Sequence, residues 1–175
     1  MVGEITGESI KSAIALKLKS SFAVITGDPP LTTYPKIYKE ETSQGIKKPY
    51  FFIWTLDASQ QKIMRNNYTR TYMMNVRYHL DEVEAEKVGK QNEILAEIGN
   101  KLLDCLNIVD VPIFLGNYDI DEQPIEETLP VYGQQMSWKT TEGVLQLFVT
   151  YQIKARQYVE EIPDMQTLLV NNINY

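Results

Sequence analysis

From Met64 to Leu80 the chain alternates. Even positions carry Met64, Asn66, Tyr68, Arg70, Tyr72, Met74, Val76, Tyr78 and Leu80, and odd positions carry Arg65, Asn67, Thr69, Thr71, Met73, Asn75, Arg77 and His79. A period of two sends successive side chains to opposite faces, so this is a long strand with one apolar and one wet side. A chain with such a segment must build a sheet and cover one face of it. At about 3.3 Å per residue the strand exceeds roughly 50 Å. Its early part is therefore expected to project from the compact domain as half of a hairpin.

The other elements follow from local pattern. Ile10, Ala13, Ile14 and Leu18 recur at helical spacing, which predicts an amphipathic helix over residues 8–22. Gly27-Asp28-Pro29-Pro30 stops whatever follows it. Ile37-Tyr38 is a short apolar patch, and residues 39–45 read as a polar loop. The aromatic and β-branched run Tyr50–Leu56 predicts a central strand. Asp81 with Glu84 three residues on predicts a helix start, and Leu95, Ile98, Leu102 and Leu106 carry one face of that helix to about residue 106. Residues 111–120 read as a strand broken near Gly116. Thr141-Glu142-Gly143 is a hairpin turn between strands at 131–140 and 144–157, the second with Leu145, Leu147, Val149, Tyr151 and Ile153 facing inward. The predicted class is α+β: a mostly antiparallel sheet with two helices on one face, in the order α-β-β-α-β-β-β, with a projecting hairpin. One domain covers 1–160, and 161–175 is a C-terminal tail or short helix. Trp54, Ile98, Leu102, Leu147 and Val149 are the expected core.

Composition excludes several functions. One cysteine, Cys105, rules out an internal disulfide, and one histidine, His79, rules out chemistry that needs two imidazoles. No glycine loop for phosphate and no nucleophile elbow is present. The acids Asp119, Asp121, Glu122, Glu126 and Glu127 lack the spacing of a calcium loop and read as a solvated acidic loop. No catalytic residue, metal ligand or cofactor site is expected. The N-terminal MVGEITGESIK holds no apolar signal core, and no apolar run approaches membrane length. The expectation is a soluble intracellular product.

The net charge of −6 argues against a protein whose task is gripping nucleic acid. The distribution is uneven. Residues 1–80 hold 11 Lys and Arg against 6 Asp and Glu, whereas residues 81–175 hold 6 against 17. The halves either neutralise one another within a domain, or copies meet positive face to negative face in a head-to-tail ring. Arg70 stands at a core-facing position and needs a partner, within its own chain or on a neighbour.

The residues Ile37-Tyr38, Glu40, Gln44-Gly45, Pro49 and Phe51-Phe52-Ile53, followed by Tyr68-Thr69-Arg70-Thr71-Tyr72 and closed by Met165-x-x-Leu168, resemble a phage tail terminator family over nearly the whole chain. The resemblance implies an α/β fold and a hexameric ring in the virion tail, assembled in the host cytoplasm. Such a ring ends tail-tube growth and docks to the neck, head or sheath end. It is most similar to members from contractile tails, including headless tail-like bacteriocins. The implied partners are the chain itself, the tail tube protein, and sheath or neck proteins. DNA passes without specific binding, and no membrane is involved. Arg65, Asn67, Arg70 and Arg77 on the long strand, with Lys47 and Lys48 ahead of the aromatic run, are the expected subunit or partner contacts. A tail-completion or neck connector and a small acidic monomeric adaptor are the alternatives.

Overall fold

In a computed structural model of the chain, residues 5–26, 31–39, 46–64, 67–81, 90–118 and 124–156 are described. The fold is α+β, with two helices among the described residues and a curled mixed sheet. Helix α1 (Gly7–Ser21) begins at Thr6, whose Oγ1 accepts from the Ser9 amide at 3.2 Å while Ser9 Oγ accepts from the Thr6 amide at 3.4 Å. This reciprocal cap satisfies donors that the first turn leaves open. Strands β1 (Val24–Thr26) and β2 (Leu31–Thr33) form a separate, exposed two-stranded pair. The six-stranded sheet uses β3 (Lys36–Tyr38), β4 (Tyr50–Met64), β5 (Asn67–His79), β6 (Ile108–Tyr118), β7 (Pro124–Thr141) and β8 (Val144–Arg156). Its order is β3-β4-β5-β8-β7-β6, antiparallel throughout except for the parallel pair β3–β4. Helix α2 (Gln91–Leu106) lies between β5 and β6 in the chain.

Cross-strand rows show how the core forms. Ile53, Val76, Leu147 and Trp138 stand opposite one another on the inner face, and the next row is Thr55, Met74, Val149 and Met136. Ile10, Ala13, Ile14 and Leu18 of α1 and Leu95, Leu102 and Leu106 of α2 close onto these rows in one buried cluster. Two tyrosines of the sheet hold the helix ends. Tyr72 Oη donates to the Ile5 carbonyl ahead of α1 at 3.1 Å, and Tyr151 Oη donates to the Leu106 carbonyl at the end of α2 at 2.8 Å. Burial pushes the Tyr151 phenol well above its usual value, so it remains a donor. A Cβ on Gly99 would sit 2.7 Å from the Trp138 ring, so α2 approaches β7 at a distance only glycine permits. The β7–β8 turn has Glu142 at φ 51° and Gly143 at φ 74°, the paired positive values of a tight primed turn.

Several expectations need correction. The element order gains β1, β2 and β3, each three residues long and too short to show alternation. Helix α2 starts at Gln91, with Lys90 at its N-cap and no capping side-chain bond, so the predicted helix is not continuous from Asp81. Residues 82–89 lie outside the described residues. Strand β7 begins at Pro124, so Glu126 and Glu127 pair with β6 rather than lying in a loop, while 119–123 lie outside the described residues. The long strand does not project as half of a bare hairpin. Asn67 to His79 is flanked along its length by β4 on one side and β8 on the other, because the alternation of β8 runs on to Arg156. Trp54 is 38% exposed rather than core, since Phe51 and Ile53 take the inward positions of β4. Ile98 is partly buried against the core, and Leu102, Leu147 and Val149 are fully buried. The 161–175 tail lies outside the described residues.

Candidate assembly interface

The sheet's second face carries no helix among the described residues. Its side chains come from the even positions of β8 and of the first part of β4, and from the odd positions of β5 and β7. The central row is Trp54, Asn75, Phe148 and Ser137; the row above it is Phe52, Arg77, Gln146 and Lys139. Asn75 is fully buried on this side. Its Nδ2 donates to the Leu147 carbonyl at 3.1 Å, and its Oδ1 accepts from Arg77 Nε at 2.8 Å. A buried amide so satisfied costs little, and it lays the Arg77 side chain along the sheet. Phe52 and Trp54 have ring centroids 5.9 Å apart, and Lys139 Nζ sits 5.4 Å from the Phe148 ring. Met73, Gln134, Gln135, Ser137, Phe148 and Thr150 line an open concavity of about 460 Å³. None of these side chains ionises, so the concavity offers contact area rather than acid–base chemistry.

At the upper end of this face Tyr50 stacks on His79 at 4.4 Å, and Tyr38 meets Tyr50 edge-on at 5.6 Å. Burial lowers the His79 pKa, and the charges of Lys48 and Arg77 lower it further. Lys48 precedes a cis peptide to Pro49, and the Lys47 carbonyl accepts from Lys36 Nζ at 3.3 Å. His79 and Cys105 are on opposite sides of the sheet: the thiol is half-buried with α2, Sγ 3.6 Å from the Leu102 carbonyl, its pKa raised mainly by burial. They cannot act together. Among the described residues no three His, Cys, Asp or Glu side chains are placed to hold a metal ion. The acids at 119–123 lie outside those residues.

The residues singled out from sequence fall into two groups. Lys47, Lys48 and Arg77 gather near the His79 end. Asn67 and Arg70 lie at the other end of β5, Arg70 about 23 Å from Arg77 over seven residues and Asn67 about 33 Å over ten. Arg70 is half-buried, opposite Gln60 and Ile153, and its Nε donates to Gln60 Oε1 at 2.7 Å. It therefore has a partner in its own chain, though a neutral one in this bond. Arg65 lies outside the described residues. Sequence reasoning missed Phe52, Trp54, Met73, Lys139 and Phe148. One signal was available: Phe148 interrupts an otherwise polar even register from Gln146 to Arg156.

No helix among the described residues is long and apolar enough to cross a membrane. No curated protein matches the chain. A family model described as phage tail terminator protein matches residues 9–163, which takes in all but the first two residues of α1, all of α2 and every strand described. The chain belongs to the phage tail terminator protein family.

Proposed function

We propose that this chain assembles into a homohexameric ring that caps the tail tube and docks to the neck, head or sheath end of a contractile tail. The observation that carries the reading is the family match across residues 9–163. The family is a structural one, and the virion tail is its place. The uneven charge of the two halves supports contact between unlike surfaces of successive copies. The net charge of −6 suits a channel wall that lets DNA pass without holding it. In this reading the far end of the β4–β5–β8 layer, with Asn67 and Arg70, is offered to the tube end or a neighbouring copy, and Arg65, outside the described residues, is a further expected contact. No cofactor or catalytic step is assigned.

Native mass spectrometry over a concentration series tests the ring: a species of about 121 kDa is expected, six copies of the 20.2 kDa chain. Adding the protein to polymerising tail tube protein should halt tube growth, with a ring on tube ends in electron micrographs. A chain that stays monomeric with and without tubes would reject the ring in favour of a monomeric adaptor. A ring that stacks only on the neck would make it a connector.

A further inference from the structure

We infer that the sheet face on which no described helix lies is the seat of helix α2 of a second copy. The inference rests on the ring reading above and assigns its two surfaces. The sheet face combines Trp54, 38% exposed, and Met73, 40% exposed, with Phe52 and Phe148, rimmed by Arg77 and Lys139. Aromatic residues, Met and Arg are the types enriched where protein surfaces meet. A surface of the opposite sign lies on the same molecule. The solvent side of α2 presents Glu93, Glu97, Asn100 and Asp104, spaced by four, three and four residues and so aligned in one stripe. Glu93 is held by Lys90 at 3.1 Å, whereas Glu97 and Asp104 form no ion pair among the described residues.

The spacings agree. Seven residues of helix separate Glu97 from Asp104 by about 10.5 Å. Arg77 and Lys139 share a cross-sheet row two strand intervals apart, about 9.6 Å. A helix laid across the strands along that row sets Glu97 over Lys139 and Asp104 over Arg77, with the aromatic row beside it. Helix α2 packs on the inner face of its own sheet, so a copy cannot lay its own α2 on its outer face. The contact joins unlike surfaces of successive copies, the heterologous geometry that closes a ring. A partner of strongly negative charge such as duplex DNA fits the cations alone. It does not account for the matched acidic stripe on a chain of net charge −6.

The test uses charge reversal at exposed positions of the full chain. Lys139→Glu and Glu97→Lys should each weaken self-association about tenfold or more, since each sets like charges face to face. The chain carrying both changes should recover most of that loss, because the pair is restored with its signs exchanged. Association of the unaltered chain should also weaken with salt. Rings that form normally from both single variants would overturn this docking and leave the ring reading standing. An unaltered chain that remains monomeric would overturn both. If Lys139→Glu lowered affinity for duplex DNA and left self-association unchanged, the face would serve nucleic acid and the inference would fall.

Discussion

The two faces of the central sheet are built from the same strands and yet obey different rules. On the inner face, Leu145, Leu147, Val149, Tyr151 and Ile153 are all buried beneath helices, and each fits one hydrophobic cluster. On the outer face, one residue along, Trp54 and Met73 are exposed, Arg77 bonds to a buried asparagine, and Lys139 lies over a phenyl ring. An antiparallel sheet normally leaves one face to water. Here that face is rich in aromatic and cationic groups instead of small polar ones. The inner face holds the monomer together, and the outer face carries little of its stability while keeping the composition of a contact surface.

Substitutions on the two faces sharpen that contrast. Leu102→Ala should be the most damaging, removing a fully buried anchor of α2 at a cost of about 2–5 kcal/mol in chemical denaturation. An unchanged midpoint would mean that α2 does not pack on the sheet. Gly99→Ala forces a methyl into the Trp138 ring and should cost about 1–3 kcal/mol, with the tryptophan fluorescence of the native state altered as the ring moves. On the outer face, Trp54→Ala should cost only about 1 kcal/mol, the scale of its contact with Phe52, because the ring is already partly in water. A loss as large as that of Leu102→Ala would erase the difference between the faces.

His79 gives a smaller, pH-dependent effect. Its folded pKa is lowered, by burial first and then by Lys48 and Arg77, so the unfolded chain binds the proton more readily. Stability from this group is present above about pH 6.5 and lost as pH falls through that value toward the lowered folded pKa. Denaturation midpoints between pH 7 and 5.5 should therefore fall less in His79→Gln than in the unaltered chain. The smallest effect is expected at Thr55, whose buried hydroxyl finds no partner among the described residues. Thr55→Val keeps the shape and should leave stability unchanged or slightly raised.

Much of the inner face was legible in the sequence. The alternation of residues 144–156 and of 68–80, and the three-and-four spacing in both helices, name buried positions correctly because each depends on neighbours only a few residues away. The start of α2 was not legible. Asp81 and Glu84 offer a capping pattern, but the helix begins at Gln91, where Lys90 gives no such signal. Trp54 was misplaced for a different reason. The run Tyr50–Leu56 is apolar on both registers, so its inward side is decided by its pairing with β5, where Trp54 falls opposite Asn75 and Phe51 opposite Tyr78. The candidate interface was half visible: Arg77, Lys47 and Lys48 stood out as charges, but nothing local joins them to Lys139 or Phe148, sixty or more residues further along.

By itself the sequence determined the long strands, the bodies of both described helices and which side of each is apolar. These follow from period and residue type, which act over one or two turns or a few strand residues. Only the tertiary structure decided that β3 joins the sheet parallel to β4, that β8 runs beside β5 to its first residue and denies it a free edge, and that an asparagine is buried on the outer face. Those outcomes are set by strand register, and a shift of one residue would have turned every side chain to the other face.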